Sequence, residues 1–180
     1  MSQPIRIGSL TSVAPAAGFE QPFEMLEACH ERVHRMLALL ERLREHLPAH
    51  GADEQTRQAA RDVMRYFDTA APHHHEDEER HVLPLLRERG HAALAERVLQ
   101  EHRVMAAAWA GVRAVLVELA QGRWLANQEA VAADWRAFGG LYREHIALEE
   151  NQAFPLARAL IGAEDLRAMA GEMARRRGVR

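Results

Sequence analysis

Four long stretches of the chain carry apolar side chains at intervals of three and four residues, and this period decides which fold the chain can adopt. A helix with 3.6 residues per turn places such residues on one face, whereas a strand would need alternation, which nowhere persists. We expect helices over about residues 22–47, 53–90, 94–119 and 131–160. Their short connections predict an all-α fold, an antiparallel up-down four-helix bundle.

The chain divides into three parts on this interpretation. Residues 1–21 are rich in Ser, Gly, Pro and Ala without periodicity and are expected to form a flexible N-terminal arm. Residues 22–162 form the bundle, with Pro48 and Gly51 ending the first helix and Gly162 ending the fourth. Residues 163–180 are expected to form a short fifth helix and a tail.

The apolar stripes define which side chains should face the bundle axis. A constant helical period places Ala70 and Leu85 of the second helix on the inner face. The same period places Gln152, Leu156 and Leu160 of the fourth helix there. Because Pro84 and Pro155 lie inside these helical patterns and each removes a backbone hydrogen bond, we expect a kink at each.

Each stripe is interrupted by a histidine near mid-length, and two stripes are also interrupted by a glutamate. A lone histidine on an apolar face is usually a core residue with a hydrogen-bond partner, but here four helices share the interruption. A buried carboxylate is costly unless it is paired or binds a metal. The six interrupting residues are His30, His74, Glu78, His102, His145 and Glu149.

Two of these histidines stand four residues before a glutamate, His74 before Glu78 and His145 before Glu149. Four residues span slightly more than one helical turn, so both side chains of a pair point the same way. Each pair can therefore offer one nitrogen and one carboxylate to a metal on the bundle axis. One such pair is weak evidence, because the spacing is common on helix surfaces.

An internal repeat strengthens this interpretation. The segment HHEDEERHVLPLL, which begins at His74, resembles HIALEENQAFPLA, which begins at His145, with an offset of 71 residues. The preceding helices match at an offset of 72, which aligns His30 with His102. Two similar helical hairpins related by a pseudo-twofold axis would bring four histidines and two glutamates to one point.

Six donors are too many for one tetrahedral zinc ion and suit two metal ions. Imidazole binds iron, zinc, copper and nickel well, and a carboxylate can bridge two ions. About four protein donors per ion leave coordination positions open, and we expect a bridging oxo or hydroxo group to complete the pair. The nitrogen-rich set favours reversible ligand binding or electron chemistry, unlike the carboxylate-rich ferritin-like bundles.

Charge and hydropathy exclude several classes of partner. A formal net charge of -3 argues against a general nucleic-acid binder, and no apolar stretch is long enough to span a membrane. The first twenty residues lack the apolar region of a secretory signal, and one cysteine, Cys29, cannot form an intrachain disulfide. We therefore expect a cytoplasmic protein.

The motif H-x-x-x-E-E-x-x-x-x-P occurs twice, at residues 74–84 and 145–155. Together with the segments ACHERV and QEHRVM, it resembles the hemerythrin-like proteins of the histidine–histidine–glutamate cation-binding family. The resemblance covers about residues 22–160 and implies a four-helix bundle with a non-haem di-iron centre, in which manganese or zinc could replace iron. It implies that His30, His74, His102 and His145 bind the metals. Glu78 and Glu149 would bridge them.

The sequence differs from the oxygen-carrying hemerythrins, which have a second histidine one turn later on the third helix and an aspartate on the fourth. Here Ala106 and Glu149 stand in these roles. The set is closer to bacterial di-iron proteins linked to nitric-oxide stress and iron–sulfur centre repair. The cysteine-bearing N-terminal domain that those proteins often carry has no counterpart in this sequence.

Several residues near the predicted site leave alternatives open. His34 follows His30 by one turn and could be the ligand instead, although the repeat favours His30. His73 and His75 should point to other faces of the helix, where they are exposed or hydrogen-bonded to a ligand, and His81 could line the pocket. The repeated pair Glu79 and Glu150 could either hydrogen-bond ligand histidines or be exposed charges. Cys29 is interpreted as a small buried residue.

The function we expect is binding or sensing of a small ligand, such as dioxygen, nitric oxide or peroxide, at two iron ions. One alternative is a di-iron enzyme or iron donor that acts in nitrosative or oxidative stress and in iron–sulfur centre repair. A second alternative is a structural bundle that acts through protein partners. In that last case, changes to the histidines and glutamates would lower stability only.

Overall fold

The computed structural model describes residues 18–124 and 128–179, apart from the side chains of residues 128 and 129. This part of the chain is helical and contains no strand, which confirms the predicted all-α bundle with an extra C-terminal helix. Of the predicted N-terminal arm, residues 1–17 lie outside the described residues. Among the described helices, none is long and apolar enough to cross a membrane.

The bundle consists of four helical segments, each antiparallel to the next. Two of them are interrupted by π-helical turns, which we label π1 to π3. The first segment is α1 (Pro22–His50), and the second contains α2 (Glu54–Arg65), π1 (Tyr66–Ala70), α3 (Ala71–Asp77), π2 (Glu78–Val82) and α4 (Leu83–Glu88). The third is α5 (Ala92–Ala120), and the fourth contains α6 (Gln128–Leu148), π3 (Glu149–Ala153) and α7 (Phe154–Leu160). The additional helix α8 (Ala163–Arg176) follows.

The ends of α1 and α2 follow from local chemistry. Asp53 is the N-cap of α2, where its carboxylate accepts a hydrogen bond of 2.8 Å from the Thr56 amide. The prediction that Pro48 helps to end the first helix is wrong, because α1 continues through it to His50. The proline stands in the last turn, so its missing N–H removes one hydrogen bond near the end of the helix and the backbone still continues for two residues. Gly51 then ends α1 with a φ of +61° and donates to the Leu47 carbonyl.

Each π-helical turn in the described chain ends two residues before a proline: Pro72, Pro84 or Pro155. A proline inside a helix clashes with the carbonyl four residues earlier, and the wider turn provides room for the ring. At Pro84 and Pro155, where a kink was predicted, the structure has a π-helical turn immediately before the proline-containing helix.

A π-helical turn inserts one extra residue, so the buried stripe shifts by one position beyond it. Ala71 and Leu86 are buried where a constant period predicted Ala70 and Leu85. In the fourth segment Ala153 and Ala157 are buried in place of the predicted Gln152, Leu156 and Leu160, of which Gln152 is exposed. The inner-face prediction is wrong for Gln152, because the helical period is not constant along the segment. Leu85 and Leu156 are partly buried and pack against the edge of an apolar cluster.

The apolar core divides into two clusters, one at each end of the bundle. The larger cluster includes Leu40, Val63, Leu116 and Phe138, and the smaller one includes Leu26, Leu86, Val98 and Phe154 together with Met173 of α8. Each cluster takes side chains from all four helical segments. The layer between the clusters contains the buried histidines and glutamates.

Candidate metal centre

The structure brings all six predicted site residues into this layer. His30 comes from α1, His74 from α3, His102 from α5 and His145 from α6, while Glu78 and Glu149 begin π2 and π3. None of the six is more than 4% exposed to solvent. Six ionisable groups in a dry interior are unusual, because each must be compensated by opposite charge or by a bound ion.

The donor atoms form two groups, and each of the two glutamates contacts a histidine of both groups. In the first group, which we call half-site 1, the Nε2 atoms of His30 and His74 lie 3.0 Å apart. The Nε2 atom of His30 is 3.1 Å from Oε2 of Glu149, and that of His74 is 3.2 Å from Oε1 of Glu78. Half-site 1 therefore has two nitrogen donors and one oxygen from each glutamate.

The second group, half-site 2, uses the other oxygen of each carboxylate. The Nε2 atom of His102 is 3.3 Å from Oε2 of Glu78, and the Nε2 atom of His145 is 3.0 Å from Oε1 of Glu149. His75 joins this group, and its ring stacks on that of His102 with 4.1 Å between the ring centroids. Both glutamates thus span the two half-sites, as bridging carboxylates would.

Three outer carboxylates fix the orientation of three of the imidazoles. The Nδ1 atom of His30 is 2.9 Å from Glu150, and the Nδ1 atom of His102 is 2.8 Å from Glu79. The Nδ1 atom of His145 is 3.0 Å from Glu101. When each Nδ1–H donates to its carboxylate, Nε2 keeps a free lone pair directed at the centre of the layer.

The two buried carboxylates of the layer favour positive charge on the imidazoles around them. Burial lowers the pKa of His30 and His102, but the carboxylates of Glu149 and Glu78 outweigh it and raise these pKa values to about 9 and about 10. Burial and the neighbouring charge of Glu149 raise the pKa of Glu78. Burial also raises the pKa of Glu149, but the surrounding imidazoles, His145 first, lower it well below its ordinary value. Without a metal ion, protons on the imidazoles supply the positive charge.

The unpaired polar atoms of the layer fit bound cations. Among the described side chains, buried atoms without a hydrogen-bond partner include both oxygens of Glu78 and Glu149 and the Nε2 atoms of His75, His102 and His145. Donors that share one ion at about 2.1 Å lie about 3.0 to 3.4 Å from one another, and the separations in both half-sites are within this range. The residues present therefore fit two metal ions.

The family model of the hemerythrin HHE cation-binding domain matches residues 21–157. The chain belongs to the hemerythrin HHE cation-binding family. It is also similar to an uncharacterised protein of Haemophilus influenzae, with 30% identity over 166 residues that cover 91% of this chain and 94% of that protein. The predicted family resemblance is thus confirmed.

Two residues of this hemerythrin-family site were missed by the sequence analysis. His75 was expected to face away from the site, but its ring is partly buried in half-site 2. Glu101 was not considered, although it stands next to His102 and supports His145 across the helix interface. Glu79 and Glu150, for which two roles were left open, both accept hydrogen bonds from site histidines and are also exposed.

Other candidate residues of the hemerythrin-family protein lie outside the layer. His34 and His73 are on exposed faces of their helices. His81, for which a place in the pocket was left open, is turned toward α8, where its Nε2 atom lies 2.8 Å from Glu172. Cys29 is half-buried, and burial raises the pKa of its thiol.

Proposed function

We propose that this hemerythrin-family protein holds two iron ions and that it binds or senses a small ligand such as dioxygen, nitric oxide or peroxide. One observation carries the proposal: Glu78 and Glu149 each direct one oxygen to half-site 1 and the other to half-site 2. Two carboxylates in this arrangement favour a pair of ions over a single ion.

The proposed ligands of the first ion are His30 and His74. Those of the second are His75, His102 and His145, and the two glutamates would bridge both ions. Imidazole and carboxylate are suitable donors for iron. Bound iron with an open coordination position supplies affinity for small electron-accepting ligands.

The protein's own residues would control this chemistry in two ways. The apolar clusters on both sides of the layer exclude water, so that charge interactions inside are stronger than at the surface. Glu79, Glu101 and Glu150 hold their imidazoles in one tautomer and make Nε2 more basic. Because these glutamates are also in contact with solvent, they can pass protons from the imidazoles to water.

The proposal is tested by counting iron and recording ligand-dependent spectra. The protein, purified without a histidine tag, should contain about two irons per chain, given the two half-sites. Its visible spectrum should change on exposure to air, azide and nitric oxide. Glu78→Ala and Glu149→Ala should lower the iron content, whereas the control Glu144→Ala, an exposed carboxylate on the same helix as His145, should not. Unchanged iron content in both site variants would show that the assigned ligands are wrong.

A further inference from the structure

The repeat predicts that the two halves of the layer are equivalent, and most contacts obey this pseudo-twofold relation. His30 corresponds to His102 and Glu79 corresponds to Glu150 in the repeat. The His30–Glu150 contact of 2.9 Å accordingly has its counterpart in the His102–Glu79 contact of 2.8 Å. Departures from this relation therefore identify what distinguishes one half-site from the other.

The first departure concerns the hydrogen-bond acceptor of the His74 imidazole. His145 is supported by Glu101, and the repeat places Cys29 at the position that corresponds to Glu101. His74, the counterpart of His145, is 3% exposed, and its Nδ1 atom is buried without a hydrogen-bond partner. The repeat thus aligns a thiol with the carboxylate of the other half of the molecule, and the His74 imidazole has no acceptor for its Nδ1.

The second departure concerns the number of nitrogen donors. His75 adds a third imidazole to half-site 2. The repeat aligns His75 with Ile146, a buried apolar residue that cannot bind a metal. Half-site 1 consequently has two imidazoles, of which one is unsupported, whereas half-site 2 has three.

Both departures act in the same direction, and we infer that the two half-sites bind divalent cations with unequal affinity. Half-site 2 binds the first cation tightly, and half-site 1 binds the second more weakly and exchanges it more readily. This inference rests on the proposed binding of two metal ions. A metal on Nε2 of His74 keeps the proton on Nδ1, which remains buried without an acceptor. Because loss of an outer carboxylate typically weakens metal binding by about 10–100-fold, we expect a separation of that order between the two steps.

The test is an anaerobic titration of the metal-free full-length protein with Co²⁺, followed by its visible bands and by calorimetry. The wild-type protein should bind two equivalents in two resolved steps. Cys29→Glu supplies the missing acceptor to His74 and should tighten the second step. Its mirror variant, Glu101→Cys, removes the acceptor of His145 and should weaken the first step by about 10–100-fold.

A matched pair of histidine variants tests the contribution of His75 as the third nitrogen donor of half-site 2. His75→Ala should weaken the first step, whereas His73→Ala, which changes an exposed residue of the same histidine run, should leave both steps unchanged. If Cys29→Glu does not fold, as judged by circular dichroism, Glu101→Cys and His75→Ala still decide the question.

Two equal affinities in the wild-type protein would overturn the inference and leave the proposed function intact. A first step that neither Glu101→Cys nor His75→Ala alters would overturn it as well. Failure to bind any Co²⁺ or Fe²⁺ would instead contradict the proposed function itself.

Discussion

Replacing Glu78 with glutamine distinguishes two effects of the buried layer of histidines and glutamates, its effect on stability and its ability to bind cations. Glu78 is fully buried, and the Nε2 atoms of His74 and His102 lie 3.2 and 3.3 Å from its oxygens without forming a hydrogen bond. Burial nevertheless raises the pKa of Glu78, so its charged form is disfavoured in the folded protein. A buried polar group without a partner costs about 1–3 kcal/mol, and a charged one costs more. Glutamine keeps the shape and removes the charge, so metal-free Glu78→Gln should be more stable than metal-free wild type by about 1–3 kcal/mol. For a protein of this size, that corresponds to a rise in Tm of about 2–4 °C per kcal/mol.

The same substitution should remove most of the stabilisation that a cation provides. A ligand present at about 1,000 times its Kd stabilises the native state by about 4 kcal/mol. Glutamine offers one neutral oxygen in place of two charged ones, so it cannot serve both half-sites. Thermal melts with EDTA and with excess Co²⁺ should therefore show a large cation-induced shift for the wild type and a small one for Glu78→Gln. The exposed carboxylate of Glu144 provides the matched control, Glu144→Gln, which should behave as the wild type in both conditions.

Two results would refute this reasoning. If metal-free Glu78→Gln is less stable than the wild type, then the carboxylate is needed by the fold and is not held there for a cation. If the variant keeps the full cation-induced shift, Glu78 does not bind the ion.

Two further predictions concern the helices. Asp53→Ala should lower the free energy of unfolding in urea by about 1 kcal/mol, because it removes the N-cap of α2; an unchanged midpoint would contradict this. Burial raises the pKa of Asp53, but hydrogen bonds from Thr56 and His46 outweigh it and lower the pKa from 3.8 to about 2. The extra stability of the wild type over Asp53→Ala should therefore be complete above pH 3.8 and be lost as the pH falls through about 2. Deleting the exposed Gln152 should close π3 into an ordinary α-turn, in which the ring of Pro155 clashes, at a cost of about 3 kcal/mol. Adding Pro155→Ala should restore the melting temperature, and a deletion that is harmless alone would disprove this account of the π-helical turns.

The sequence was sufficient to predict the helices and the six buried donors because both depend on patterns along the chain. Helical period sets which residues face inward, and the repeat singles out polar residues that a random duplication would not keep. The same method failed in π3, where Gln152 was predicted to face inward and Ala153 does so instead. A constant period of 3.6 cannot represent one inserted residue, although the prolines two positions beyond each turn are a usable signal of it.

The missed residues have a different physical cause. His75 is turned about 100° from His74 around the helix axis, so a helical wheel assigns it to another face. In a bundle that face is itself covered, and the ring of His75 packs against His102 of the neighbouring helix. Glu101 likewise acts across an interface, on His145 of α6. Contacts between helices depend on packing geometry, which a single sequence does not contain.

The position of the metal layer also argues against the interpretation that the bundle is purely structural. Apolar clusters on both sides of the layer draw on all four helical segments and include the fully buried Leu43, Leu116 and Phe138 on one side and Leu26 and Leu86 on the other. Burial of such side chains stabilises the bundle by about 1.5–3 kcal/mol each. The apolar clusters therefore supply much of the stability of the fold, and we expect the buried charge of Glu78, whose pKa is raised by burial, to lower the stability of the metal-free protein. Residues that cost stability and converge on shared donor positions are best explained by the ions they hold, and the sign of the Glu78→Gln effect distinguishes this explanation from a structural one.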